Sequence, residues 1–205
     1  MITSLPIGWV LRASTVGFTV GCRVLQPNVP QFGDLVKVPL PDDGTNIFGL
    51  IYDVQVQDDP AVRQLILTGE MEPEAVLDQR ENRLVPIEIS VLIVGYQLEM
   101  QNIIQGLPPR PPLSLDMLTM CDDDDLRAFS QNLDYLRLVL SAAQIPADEV
   151  LITNLNRVAA AHPPERRRDF LLRAGRELVR LLNADLVRVD SILKRIKPEQ
   201  GMGTK

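Results

Sequence analysis

Few residues in this chain are of a type and spacing that support catalysis. His162 is the single histidine, the side chain best suited to proton transfer near neutral pH. It sits between a helical stretch and Pro163-Pro164, and neither HExxH nor GxSxG nor a Cys/His arrangement accompanies it. It reads as a helix cap or surface residue. Asp122-Asp123-Asp124-Asp125 is a run of carboxylates of the kind that holds Mg²⁺ or Ca²⁺, but it lacks the alternating spacing and the glycine of a calcium loop. It reads as the solvated start of a helix. The triplet Arg166-Arg167-Arg168, followed by Arg173, Arg176 and Arg180, suits phosphates or carboxylates. Three consecutive helix residues point in different directions, however, and Glu165 and Asp169 flank them. Two readings stand: a solvated face with pairing inside the chain, or a surface for an acidic partner or nucleic acid. The pattern GxxxxGK[ST] is absent, and Gly201-Met202-Gly203-Thr204-Lys205, superficially similar, is expected to be part of a disordered tail over 199–205. Cys22 and Cys121 form no CxxC and are expected to be reduced thiols of a cytoplasmic protein. No catalytic residue, cofactor or metal is assigned, and the chain is expected not to be an enzyme.

Charge narrows the partner. The chain of 205 residues has net charge −6, and aromatic residues make up 4% of it, which argues against a stacking surface for nucleic acid. The charge is unevenly spread. Residues 1–107 carry 6 basic and 13 acidic side chains, net −7; residues 108–156 carry 3 and 8, net −5; residues 157–205 carry 12 and 6, net +6. No apolar run approaches the ~20 residues of a membrane span. No export signal is evident either, because a basic stretch followed by a long apolar one is missing at the start.

The elements that must position these residues change character midway. Val16, Phe18, Val20, Cys22 and Val24 alternate with Gly17, Thr19, Gly21 and Arg23, the period of a half-buried strand. Phe48, Leu50, Tyr52, Val54 and Val56 repeat the pattern. So do Ile87, Ile89, Val91 and Ile93, where Leu92 and Val94 predict a strand covered on both faces. Shorter candidates are Ile7–Arg12 and Asp34–Val38. Five or six short strands in about 95 residues predict a small closed β-barrel or a sandwich. A short helical insertion is expected near 60–80, where Pro73 follows Glu72.

Residues 107–116 form a linker in which Pro108, Pro109, Pro111 and Pro112 surround Arg110 and impose an extended path. Arg110 either anchors a partner or pins this strap to the barrel. Helical periodicity follows over 117–198: Leu126, Phe129, Leu133, Leu136 and Leu140 on one face; Val150, Leu151, Leu155 and Val158; then Phe170, Leu171, Ala174, Leu178, Leu181 and Leu182; then, after Asn183-Ala184-Asp185, Leu186, Val189, Ile192, Leu193 and Ile196. The expected fold is α+β, a barrel over 1–106 followed by a helical bundle.

The strand sequences Gly8-Trp9-Val10, Phe32-Gly33-Asp34-Leu35-Val36-Lys37-Val38 and Phe48-Gly49-Leu50-Ile51-Tyr52-Asp53-Val54, in that order, resemble the HAS-barrel. This is the small N-terminal barrel of HerA-type DNA translocases and of rotary ATP synthase subunits. Pro86-Ile87-Glu88-Ile89-Ser90-Val91 and the proline strap are similar to stand-alone HAS-barrel proteins. The resemblance covers about residues 5–97 and implies ring assembly or a docking surface for a partner nuclease. The ATPase domain of the translocases has no counterpart here, so their activity is not implied. The expected function is a non-enzymatic interaction or assembly module, with self-association or an ATPase or nuclease partner. The alternative is an accessory factor of a DNA-processing ATPase or nuclease, contacting nucleic acid through Arg166, Arg167, Arg168, Arg173, Arg176 and Arg180. Contact with a membrane is not expected.

Overall fold

A computed structural model describes residues 7–24, 30–42, 44–57, 63, 67, 85–99 and 101–196. Six strands, β1 (Gly8–Ala13), β2 (Gly17–Val24), β3 (Leu35–Pro39), β4 (Asn46–Val56), β5 (Val85–Gln97) and β6 (Met117–Met120), close into a barrel in the order β1-β2-β5-β4-β3-β6. All neighbouring strands are antiparallel. Closure leaves no unpaired edge, the cost that short strands would otherwise carry. The expected insertion near 60–80 lies outside the described residues, apart from Arg63 and Leu67, which are helical.

The alternating apolar residues meet inside. Val10, Phe18, Val20, Cys22, Val36, Val38, Ile47, Ile51, Ile87, Ile89, Val91, Ile93 and Leu118 form the barrel interior. Strand β5 is covered on both faces as its sequence predicts, because Leu92 and Val94 point out into a second core. That core also takes Leu35, Phe48 and Leu50 from the barrel wall and the apolar faces of the helices. Register shifts at Val10/Arg12, Phe48/Gly49 and Ile51/Asp53 bend the long strands round the barrel.

Five helices follow among the described residues: α1 (Asp123–Phe129), α2 (Tyr135–Ser141), α3 (Ala147–Ala161), α4 (Pro164–Leu181) and α5 (Leu186–Arg195). The single helix suggested by Leu126 to Leu140 is broken in two. Gln105, just before the strap, fills the break: its Nε2 donates to Phe129 O (2.7 Å) and Asn132 O (3.0 Å), and its Oε1 accepts from Tyr135 N (3.0 Å). One side chain thereby satisfies the last carbonyl of α1, a carbonyl of the connecting turn and an amide of α2. Gly95 gives the α1 end its seat, since a Cβ there would lie 2.9 Å from the Phe129 ring.

Residues 117–120, which carry no strand alternation, form β6 between β1 and β3 rather than the start of the helical part. The proline strap therefore lies along the barrel and feeds its last strand. It is held there by Leu115 N to Val10 O (2.9 Å), Ser114 Oγ to Leu11 O (3.2 Å) and Val10 N to Asp116 O (2.9 Å).

Candidate interaction surfaces

The barrel fixes its helical layer through the Gly33-Asp34 turn. Gly33 has φ +81°, a left-handed conformation that glycine adopts freely, and a Cβ there would lie 2.7 Å from the Thr153 side chain on α3. Buried Asp34 accepts from Gln31 N (2.7 Å) and forms an ion pair with Arg157 of α3, whose guanidinium also donates to Gln31 Oε1 (2.7 Å). Burial pulls the Arg157 pKa below its ordinary value. Asn154, one turn earlier, donates to Gly33 O (3.1 Å) and accepts from the Tyr135 hydroxyl (2.9 Å), whose pKa burial pushes up. Asn154 thus joins the Gly33 carbonyl to the Tyr135 hydroxyl while Asp34 faces Arg157, so the turn acts as a socket for α3. Lys37 of β3 reaches Asp125 of α1 at 2.5 Å beside it.

The sequence-predicted residues disperse on this frame. Asp122 and Asp125 form a capping box at α1: Asp125 N donates to Asp122 Oδ1 (2.8 Å) and Asp122 N to Asp125 Oδ2 (3.1 Å). Asp124 pairs with Arg127 at 2.5 Å. The acids thus serve a helix start, and no grouping fit to hold a metal occurs among the described residues. Arg110 lies 3.8 Å from Asp42 at the β3–β4 turn, both side chains exposed.

The arginine triplet splits by direction. Arg167 donates to His162 O (3.0 Å) and Ala160 O (3.1 Å), and so caps α3. Arg173 donates to Gln131 O (3.2 Å) and Ser130 O (3.3 Å), and so caps α1. Cations at helix C-termini meet the negative end of the dipole. Arg180 pairs with Glu177 on its own helix. Arg166, Arg168 and Arg176 remain exposed, with no ion pair among the described residues. Half of the arginines expected to contact phosphates are therefore engaged within the fold. The basic end also spends charge on α3 acids, in two-pronged pairs of Arg188 with Asp148 (2.7 Å) and Arg195 with Glu149 (2.5 Å).

His162 Nε2 lies 3.2 Å from Ser130 Oγ, a distance that suits a nucleophile and its base. Ser130 is fully buried, however, and the imidazole stacks on Phe170 with centroids 5.0 Å apart. No approach to the hydroxyl is open, and the pair ties the end of α1 to the end of α3. Burial, then Arg127, Arg173 and Arg166, hold the His162 pKa below its ordinary value. Cys22 and Cys121 are both buried and unpaired with each other, and burial pushes both thiol pKa values up.

Two exposed apolar faces are not among the sequence-predicted residues. On the barrel wall, Trp9 and Leu11 of β1 point outward, with Met117 paired beside Trp9 on one flank and Gly21 on the other. Leu113 and Leu115 of the strap flank the same strand, Leu115 at 77% exposure. Leu115 has φ +74°, a strained conformation for leucine costing on the order of 1 kcal/mol, yet it is held by hydrogen bonds on both sides. On the helical layer, exposed Leu172 and Val179 lie one turn either side of Gly175 on α4, and Leu193 of α5 rests against Gly175. A cleft of about 630 Å³ separates the β1–β2 turn from the α2–α3 loop, lined by Val16, Phe18, Tyr52, Leu92, Ala142 and Ile145 with Arg12 at one side.

No protein-family model matches this chain, and no curated protein matches it in sequence. No helix among the described residues is long and apolar enough to cross a membrane.

Proposed function

We propose that this chain is a non-catalytic assembly module, a HAS-type barrel carrying a fixed helical layer, whose partner is protein and in the first place a second copy of itself. The observation that supports it is the apolar barrel wall of Trp9, Leu11, Leu113, Leu115 and Met117. Scattered exposed apolar residues are ordinary on a soluble domain; five around one strand, one of them held in a strained conformation, mark an interaction surface. The wall lies on β1, three strands round the barrel from β4, so the helices that cover β4 do not reach it. The opposite charges of the two ends of the chain favour association between copies at low ionic strength.

Light scattering at rising concentration, in low and in high salt, tests this. The expected mass is an integral multiple of the single-chain mass, falling in high salt. A single-chain mass at every concentration and salt overturns it.

A further inference from the structure

We infer that α5 is an exchangeable arm: it leaves its own α3 and α4 and takes the same seat on a second copy, which gives its own α5 in return. This goes beyond the assembly reading above, since it joins copies without the β1 wall. The seat and its occupant are both visible in one chain. Helices α4 and α5 form a hairpin in which Leu193 lies against Gly175. Along α3, Arg188 meets Asp148, Arg195 meets Glu149, and Asn156 Nδ2 donates to Arg195 O (3.1 Å). The hold on α5 is light. Val189, Ile192 and Ile196 are buried, while Leu186, Val187 and Leu193 are exposed. The two ion pairs are partly exposed, so each contributes little and salt screens both.

The joint between α4 and α5 is built to straighten. Residues 182–185, Leu-Asn-Ala-Asp, contain neither glycine nor proline, so nothing in them forbids a continuous helix. At about 3.6 residues per turn, a helix unbroken through 164–196 would carry Ala174, Leu178, Leu182, Val189, Ile192 and Ile196 within a sector of about 80°. The apolar faces of α4 and α5 are therefore in phase across the joint, which two helices separated by an irregular turn need not be. Asp185 is the polar residue in that sector, and it is the one that starts α5, accepting from Arg188 N (3.0 Å). Straightening carries α5 away from its own α3 and offers its buried face to another chain. The sequences are identical, so every contact α5 gives up is recovered on the second copy, and the two states differ only at the joint.

Disulfide capture between two chains tests this. Gly175→Cys in one chain and Leu193→Cys in another give each chain half of a contact pair, while the native Cys22 and Cys121 are buried. The variants are mixed one to one in native buffer with oxidised glutathione, and the products are separated under denaturing, non-reducing conditions. Exchange is expected to give a linked product of two chains, about tenfold more than Gly175→Cys mixed with Val187→Cys, whose exposed position lies off the seat. Asp185→Ala, which removes the α5 cap, is expected to raise the yield severalfold, and Ala184→Gly, which disfavours the straight helix, to lower it. The product is expected to form faster in high salt, where the two ion pairs are screened, the reverse of the salt dependence expected of assembly through the β1 wall. Equal yields from the Leu193 and Val187 pairings mean random collision and overturn the exchange. So does the lack of a two-chain product, or a yield that neither joint variant moves. If the wild type assembles in light scattering but no linked product forms, the exchange is wrong and the assembly reading survives. If the linked product forms while the wild type keeps the single-chain mass, the exchange stands and the assembly reading falls.

Discussion

At the scale of single residues, the chemistry that His162 lacks as a catalyst it supplies as a structural group whose charge the fold opposes. Its neighbours are Arg127 of α1, Ser130 at the end of that helix, and Arg166, Phe170 and Arg173 from α4: a hydroxyl, a ring and three cations, of which Arg127 is paired with Asp124. The folded chain therefore takes up the imidazole proton at lower pH than the unfolded chain, whose histidine titrates near 6.5. The sign follows. Above that value both states are neutral and the contribution of His162 is fully present. As pH falls below it the unfolded state binds the proton first, and stability is lost until the folded pKa is passed. His162→Asn is expected to cost about 1 kcal/mol at pH 7.5, through the Ser130 contact and the stack on Phe170, and less at pH 5, where the native imidazole has become a liability. Urea midpoints of both proteins at the two pH values measure this. A difference between them that does not change with pH would show that the arginines leave the ring unaffected.

The elements show where local sequence governs and where the rest of the chain overrides it. Gln105 is the clearest override. The 3-4-3-4 spacing from Leu126 to Leu140 is that of one continuous helix, and nothing within that stretch forbids it. The break is imposed by a glutamine 24 positions before Phe129, whose amide fits between Phe129 O, Asn132 O and Tyr135 N. Gln105→Ala is expected to lower stability by about 2 kcal/mol in a denaturant titration, since three backbone groups at helix ends lose their partner. Gln105→Glu is expected to cost more at neutral pH, because it turns an oxygen toward two carbonyls. An unaltered midpoint for the alanine variant would falsify this role. Strands β2, β4 and β5 are legible in the sequence because period-two patterns of seven to nine residues bury one face whatever the neighbours are, and the extra Leu92 and Val94 announce the second core. Strand β6 is not, because Met-Leu-Thr-Met has no alternation and becomes a strand only by filling the gap between β1 and β3. The arginine directions can be read from helical geometry, though not which of them meets a carbonyl. The apolar wall leaves one readable sign: outward Trp9 and Leu11 break the polar half of an otherwise alternating β1. Leu113 and Leu115 give none, since a proline-rich strap carries no period that says which residues face out.

For the whole molecule, the question is whether barrel and helices are one cooperative unit or two. The sequence changes composition sharply at the strap, which suggests two, yet the strap is stitched to the barrel and its continuation is a barrel strand. Phe48, Leu50, Leu92 and Val94 of the barrel wall share a core with Phe129, Tyr135, Leu151 and Leu155 of the helices, and the rings of Phe48 and Phe129 lie 5.4 Å apart. Removing the helices would expose these four wall residues and strand the buried Asp34 carboxylate without Arg157, a loss of several kcal/mol in apolar burial alone. That is comparable to the whole stability of a small domain, so neither part is expected to persist when the other unfolds. Trp9 is the only tryptophan and sits on β1, so its fluorescence reports the barrel, while ellipticity at 222 nm is dominated by α1 to α5. In urea the two signals are expected to change together, with one midpoint and one slope. The measurement is made at two protein concentrations, so that any transition from dissociation shows itself by shifting between them. Two separated midpoints would mean that the shared core and the Asp34–Arg157 pair do not bind the parts into one unit.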